Sequence, residues 1–357
     1  MVGVGDNPQA YNDVLGVSMR YIVKLIPLIA VLALCSGCNS SAIDELLDTA
    51  EVLIDEPERR TIDVNRMGVN AFVNDGRFGT ISGQFSEVRD TLGLGFIRVL
   101  FNWGDDVQAS PGSSPDFSFY DDILSNVPAG IDVLIVVTGI PSWMSDSANW
   151  VGGNPRLTFV ELWVKPVIER YGGNSAIVGF QIWNEPNMES NPENTVLSMV
   201  GSPTNYLELL TAAYGMVKAN APSKLVVTAA TTSINQNYPG SVNYNRDLRN
   251  AGAESFADIW AIHYYGRQFE NVVRDDGVAD FLGGVTLPIW ITESGAQGVN
   301  NQLPYAEQVW PFLRSEIPGI VRIYYYKFDT ESSADYGLRT LDANFPVSDL
   351  YVHLRDR

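Results

Sequence analysis

Eight short apolar runs, separated by longer segments of helical periodicity, set the limits on how this chain folds. The runs are Met67 to Phe72, Phe96 to Phe101, Val133 to Thr138, Ile177 to Trp183, Leu225 to Ala230, Ile259 to Tyr264, Pro288 to Glu293 and Ile320 to Phe328. Each is short, nearly continuous in apolar character and bounded by turn residues, which reads as a strand buried on both faces. Between them, apolar residues recur about every 3.6 positions and predict helices over Phe85 to Leu92, Leu157 to Tyr171, Thr204 to Asn220, Asn243 to Gly252, Glu270 to Leu282, Tyr305 to Glu316 and Ser348 to Leu354. A weaker helix is expected over Phe119 to Asn126. Glycine or asparagine follows several of them, as in Tyr171-Gly172-Gly173, where a left-handed cap is expected.

Strand and helix alternating eight times predict an α/β fold, a single (β/α)8 TIM barrel with a parallel sheet. At 357 residues the chain holds such a barrel of about 250 residues plus insertions, with no second domain left over. An open doubly wound sheet would want a phosphate-cradling glycine motif after its first strand, and Gly68-Val69-Asn70 offers none.

The segment before the barrel reads differently. Arg20 and Lys24 precede an apolar run from Leu25 to Leu34, and small residues Ser36-Gly37 lead into Cys38. That order is the one of a secretory signal, and the run is short for a bilayer span. It resembles a bacterial lipoprotein signal, which implies lipidation of Cys38 after cleavage, although Cys35 stands where such signals carry leucine. A plain signal peptide or an uncleaved anchor is the alternative. Residues 1–18 do not read as a signal, so Met19 is an alternative start. Residues 38–60, with Asp44, Glu45, Asp48, Glu51, Asp55, Glu56 and Glu58, read as an acidic tether with room for a short helix near Ile43 to Leu53. The organisation expected is thus leader 1–37, tether 38–60 and barrel 61–357. The protein is expected to be exported, lipid-anchored to the bacterial envelope at the outer membrane or cell surface, and monomeric.

A formal charge of −19 excludes nucleic acid as a partner, because phosphate binding needs a basic surface. The leader takes two basic and two acidic residues with it, so the acidity belongs to the domain. The same field disfavours strongly anionic polymers as substrates, unless the cleft itself is neutral.

Two glutamates sit where buried strands run out into loops. Glu185, in Ile182-Trp183-Asn184-Glu185-Pro186-Asn187, is expected to end the fourth strand, and Glu293, in Pro288-Ile289-Trp290-Ile291-Thr292-Glu293-Ser294-Gly295, the seventh. In a barrel these tips share one rim, where barrel enzymes keep their chemistry. Two carboxylates facing across a sugar divide the labour of glycosidic cleavage: one protonates the leaving oxygen, the other attacks the anomeric carbon or activates water. Chance placement, or a retired site that binds glycans without cleaving them, is the competing reading.

Asn-Glu-Pro at the fourth strand and glutamate at the seventh resemble the large clan of retaining (β/α)8 glycoside hydrolases, closest to glycoside hydrolase families 39 and 5. The resemblance runs from about Arg66 to Leu354. It implies Glu185 as acid/base, Glu293 as nucleophile and Asn184 as the partner of a sugar 2-hydroxyl. Arg98 matches an arginine that supports the nucleophile, although a purely structural ion pair is the alternative. His263 and Tyr265, in Ala261-Ile262-His263-Tyr264-Tyr265, match a His-x-Tyr segment whose tyrosine contacts the nucleophile and whose histidine faces substrate. The alternative for His263 is a satisfied core histidine. The other histidine is His353, so neither a metal nor a cofactor is expected.

Trp103, Trp143 and Trp150 fall in rim loops where aromatic faces stack on sugar rings, with core packing as the alternative for each; Trp143 is the first choice. Many clan members end the eighth strand with tryptophan. Here it reads Ile323-Tyr324-Tyr325-Tyr326-Lys327-Phe328-Asp329, so Tyr326 or Phe328 would floor the pit, or Lys327 would enter it. The substrate expected is a β-linked polysaccharide or oligosaccharide, cleaved as an endo-acting exopolysaccharide hydrolase or, alternatively, by an exo-acting β-glycosidase such as a xylosidase. Loops 186–203 and 231–242 are long enough to shape either site.

Overall fold

A computed structural model describes residues 56–71 and 75–357, and the fold is that of Pro57–Arg357. The leader, Cys38, the helix expected near residues 43–53 and most of the tether lie outside the described residues. Pro57, Arg59 and Arg60 hydrogen-bond to Glu307 and Gln308 on the helix Gln302–Glu316.

Eight strands form one sheet: β1 (Met67–Asn70), β2 (Phe96–Asn102), β3 (Asp132–Thr138), β4 (Ile177–Ile182), β5 (Leu225–Val227), β6 (Trp260–Tyr265), β7 (Ile289–Gly295) and β8 (Ile320–Tyr325). Every ladder is parallel and the order runs β5-β4-β3-β2-β1-β8-β7-β6. The remaining seam is closed by a single parallel bridge, Val227 to Ile259, beside which the Ala261 amide donates to Thr228 Oγ1 at 2.8 Å. This is the (β/α)8 barrel expected. Parallel neighbours need crossovers long enough for a helix, which is what the segments between the runs provide.

Local chemistry sets where those helices begin. Asn154 caps one by accepting from the Arg156 and Leu157 amides, with Pro155 in the first turn. Pro203 opens the helix Pro203–Asn220, and Ser348 caps Asp349–Asp356. Two expectations fail. The helix expected over Glu270 to Leu282 is two pieces, Glu270–Val273 and Val278–Gly283, because the turn sequence Asp275-Asp276-Gly277 intervenes with Asp276 at φ 62°. Gly172 is right-handed at φ −58°, so it is no left-handed cap. A Cβ there would lie 2.6 Å from the Ile168 carbonyl oxygen, and close approach is what calls for glycine. Gly252, at φ 96°, does take the left-handed conformation.

The barrel interior has two layers. Leu134, Val227, Ala230, Ile259, Ala261, Trp290 and Tyr324 form an apolar cluster with Phe96, Val178 and Leu225 against it; most of these lie toward the strand starts, while Val227 and Ala230 come at and beyond the end of β5. Above it lies a polar layer of Asn70, Arg98, Gln181 and Thr292, all buried. The carboxylates sit on that layer.

Candidate active site

Side chains two apart on a strand share a face, so Phe96, Arg98 and Leu100 point the same way from β2, as do His263 and Tyr265 from β6. In the β6–β7 register His263 lies beside Glu293, just after an irregularity at Ile262. Glu293 does not end its strand, because β7 runs on to Gly295.

Glu185 is not a strand residue at all. The ladder of β4 ends at Ile182, and Trp183 (φ 73°) and Glu185 (φ 47°) then take left-handed conformations. Such conformations cost on the order of 1–3 kcal/mol each and persist where the surroundings over-determine them. Here the Trp183 and Glu185 amides donate to the Val137 and Ala230 carbonyls, both at 2.9 Å. Asn194, fully buried, accepts from the Trp183 indole at 2.8 Å and donates to the Glu185 carbonyl at 2.8 Å. The turn thereby lifts the Glu185 carboxylate off the strand and over the pit.

Arg98 is fully buried, and an unpaired guanidinium there would be prohibitively costly. It donates to Glu293 Oε1 at 2.6 Å, Asn70 Oδ1 at 2.6 Å, Gln181 Oε1 at 2.8 Å and Asn184 Oδ1 at 2.7 Å. Tyr265 donates its hydroxyl to Glu293 Oε2 at 2.9 Å. Burial alone would raise the Glu293 carboxyl, but the charges of His263 and Arg98 and the hydrogen bonds from Tyr265 and Arg98 outweigh it. They hold Glu293 below its ordinary value. Burial, reinforced by that carboxylate, pushes the Tyr265 hydroxyl well up, so Tyr265 remains a donor.

His263 does not face solvent or an open subsite. It is fully buried between the two glutamates, Nδ1 at 2.9 Å from Glu185 Oε1 and Nε2 at 3.5 Å from Glu293 Oε1. A neutral ring carries one N–H and so serves one of these contacts. The contact with Glu185 Oε1 is the one at hydrogen-bond distance, and Nε2 on the other side of the ring is buried without a hydrogen-bond partner among the described residues.

Glu185, His263 and Glu293 bring one ligand atom each within 4.8 Å of one another, a spacing a cation could bridge. The expectation of no metal rested on histidine count and overlooked this cluster. A cation there would compete with Arg98, whose guanidinium already holds Glu293 Oε1 at 2.6 Å.

The rim residues divide. Trp103 is fully buried, stacked on Trp163 at 6.2 Å with its indole donating to Gln108, so it is core and no sugar platform. Trp143 is half-buried edge-on to Trp103 at 5.3 Å, its indole donating to the Gln108 carbonyl. Phe328 is buried beneath Arg339. Lys327 does not bind the carboxylates; it pairs with Asp335 at 3.6 Å. Tyr326, joined to Lys327 by a cis peptide, meets Tyr265 and Tyr336 edge-on at 6.2 and 5.8 Å. Burial and the neighbouring Glu293 charge push its hydroxyl up to about 12. It follows the last residue of β8 and lies beside Tyr265, which holds Glu293.

Several participants escaped the sequence. Asn70 and Gln181 were hidden as single amides within apolar runs, a signal that could have been used. Asn194 and Tyr336 carried none. Leu100, on the Arg98 face of β2, is 42% exposed and lines a hollow of about 410 Å³ with Asn102, Asp106 and Phe119. A larger open cleft of about 960 Å³ leads away from Glu185 and Tyr265 between the loops that follow β4 and β5.

The sequence model of the cellulase family, glycosyl hydrolase family 5, matches residues 58–327, most of the barrel just described. The chain belongs to that family. It is therefore a glycoside hydrolase, and the paired carboxylates are set in the barrel such enzymes use. Solved structures share the fold of this family-5 chain at low identity. A family 39 glycoside hydrolase from the gut symbiont Bacteroides cellulosilyticus WH2 is 19% identical with a TM-score of 0.57 over 85% of this chain and 64% of its own. The chain thus spans about 64% of that enzyme's length. The catalytic domain of the major endoglucanase from Xanthomonas campestris pv. campestris is 16% identical, TM-score 0.56, covering 85% of this chain and 99% of that domain. A monomeric β-xylosidase from Caulobacter crescentus CB15 is 16% identical, TM-score 0.57, covering 84% and 69% respectively. No curated protein sequence matches.

Proposed function

We propose that this family-5 chain is a retaining, endo-acting hydrolase of a β-linked polysaccharide, with Glu185 as acid/base and Glu293 as nucleophile. The observation that carries retention is the close pairing of the carboxylates, whose nearest oxygens lie within 4.8 Å. Retaining enzymes hold the two carboxyl groups about 5–5.5 Å apart, and inverting ones about 6.5–9.5 Å, to admit a water.

In this reading Glu293, ionised by Arg98 and Tyr265, attacks the anomeric carbon. Glu185, its carboxylate 2.9 Å from His263 Nδ1, protonates the departing glycosidic oxygen. Asn184, its oxygen held by Arg98, offers its amide nitrogen to the sugar 2-hydroxyl, and Tyr326 floors the pit. Water then attacks the glycosyl ester while Glu185 takes its proton. Hollows on both flanks, beside β2 and beside the loops after β4 and β5, support cleavage within a chain over removal of a terminal sugar.

The test is a panel of β-glycans, including the producing cell's own matrix, with product lengths followed by chromatography and the first product's anomeric configuration by NMR. Products of mixed length with retained configuration are expected. Single-sugar release indicates the exo reading, and inversion refutes the role given to Glu293. The leader motif supports export with lipid anchoring through Cys38; Cys38→Ala should release the protein from the membrane fraction and abolish labelling by a fatty-acid analogue.

A further inference from the structure

We infer that Asn70, on β1, is a positioning residue for Glu293, its side-chain amide sealing a bulge in β7 that turns the carboxylate into the pit. The inference rests on the reading of Glu293 as nucleophile.

Successive side chains on a strand point to opposite faces. Trp290 lies in the apolar cluster inside the barrel, and Thr292 Oγ1 is 3.4 Å from the buried Gln181 amide in the layer above. Strict alternation would therefore send Glu293 outward and Ser294 inward. The reverse is observed. Glu293 meets Arg98 in the pit, and Ser294 Oγ meets Tyr305 and Trp310 of the helix Gln302–Glu316, at 3.0 Å each. An extra residue in β7 makes the change. Against β6, Ile262 pairs with Ile291 and His263 with Glu293, which leaves Thr292 unmatched. Against β8, Ile291 pairs with Ile323 and Ser294 with Tyr325, so Thr292 and Glu293 together stand opposite Tyr324. Two residues opposite one make a β-bulge, a device that re-aims a side chain.

A bulge disrupts the ladder locally, and a buried carbonyl left without a donor is costly. Asn70, itself buried, supplies the donor from inside the barrel. Its Nδ2 donates to the Thr292 carbonyl at 3.0 Å and the Tyr325 carbonyl at 3.2 Å, while Oδ1 accepts from Arg98 Nη1 at 2.6 Å. Both amide hydrogens thus go to the bulged strand and its β8 partner. The backbone of β1 cannot do this, because β1 neighbours β2 and β8 and not β7. The Thr292 carbonyl belongs to the peptide that leads into Glu293, so holding it sets the direction in which the carboxylate leaves the strand. One side chain therefore turns Glu293 inward and orients the guanidinium that receives it.

The experiment uses the full chain, isotope-labelled at the glutamate carboxyl carbon, and follows the Glu293 signal by NMR as pH is varied; Glu293→Gln assigns that signal. Asn70→Leu nearly keeps the volume and removes both donors and the acceptor. Asn70→Ser is milder and admits water, so it serves should the first variant fold poorly. Glu293 should bind its proton about ten-fold or more tightly in Asn70→Leu, and more tightly by a smaller factor in Asn70→Ser. Hydrogen exchange at the Thr292, Glu293 and Ser294 amides should quicken about ten-fold more than at β3. Arg322→Met, which alters the barrel far from the bulge, should leave the titration where it is. Proton affinity of Glu293 that is unmoved or lowered in both Asn70 variants overturns the proposal, as does exchange at β7 that quickens no more than at β3. Turnover is read separately, on a glycan that the unmutated chain hydrolyses. There the acid limb of kcat/KM should move to higher pH while the alkaline limb stays. A titration that shifts without the acid limb removes the nucleophile role from Glu293 and leaves its positioning by Asn70 standing.

Discussion

The barrel holds an arginine near each mouth, and the two are neutralised in opposite ways. Near the strand ends Arg98 is fully buried and bonded to one carboxylate and three amide oxygens. Near the strand starts Arg322 lies between aromatic faces, 3.6 Å over Phe96 and 4.3 Å over Trp290. In the reaction proposed above the carboxylate partner is the nucleophile; a π face stabilises the cation and offers none. One end of the cylinder is thus arranged for chemistry and the other for closure, in keeping with the division of labour between the two faces of such barrels.

Substitutions that break the catalytic end should have the largest effects. Glu293→Gln and Glu185→Gln should each lower hydrolysis by a factor on the order of 10⁴ or more; the thermal unfolding midpoint should stay nearly unchanged in Glu185→Gln and fall in Glu293→Gln, which leaves buried Arg98 without its carboxylate. Retained turnover in either would remove the pair from the chemistry.

Arg98→Met should come next, in both activity and stability. It leaves Glu293 as a buried carboxylate without its guanidinium, and breaking a buried pair from one side costs about 3–5 kcal/mol. Asn70, Gln181 and Asn184 lose a donor at the same stroke. Chemical denaturation measures the cost. A loss below 1 kcal/mol would mean that water enters and solvates the pocket, against the buried layer described.

Tyr265→Phe isolates the electrostatics. Because Glu293 titrates below its ordinary value, it contributes stability above the unfolded carboxylate pKa, and that stability is lost as pH falls through the folded value. Removing the Tyr265 hydroxyl raises the Glu293 pKa. The acid limb of the kcat/KM profile should therefore move to higher pH, with a loss of about 1.5–3 kcal/mol in the interaction. A limb that stays put or moves down contradicts the hydrogen bond.

The contrast also explains what was legible in the sequence. Strand runs announced themselves because a parallel sheet buried on both faces needs unbroken apolar stretches, as in Val133 to Val137. The two glutamates stood out against that background. What stayed hidden depends on contacts between distant segments. Asn194 steadies the left-handed turn at Trp183 and Glu185 from the one-turn helix Pro192–Val196, a segment of ordinary polar composition. His263 reads as a substrate-facing ligand until the β6–β7 register sets it between two carboxylates. Trp103 and Trp143 share a motif type and neighbouring loops, yet packing against Trp163 buries the first and leaves the second half-buried. Arg322 carries no signal at all, since a charged residue near a strand start is commonplace.

That silent residue yields the smallest and most discriminating effect. Arg322→Met keeps the aliphatic stem that covers Phe96 and Trp290 and removes only the charge over their faces. Cation–π contacts contribute about 0.5–1 kcal/mol when exposed and about 2 when desolvated. Arg322 is half-buried, so a loss of about 1–2 kcal/mol in unfolding free energy is expected. The carboxylates rest on the Arg98 layer, and the apolar cluster separates it from Arg322, so kcat/KM should stay within about two-fold and the acid limb should not move. A shifted acid limb in Arg322→Met would mean that the two mouths are electrostatically coupled through the barrel, and that the division between a chemical end and a closing end does not hold.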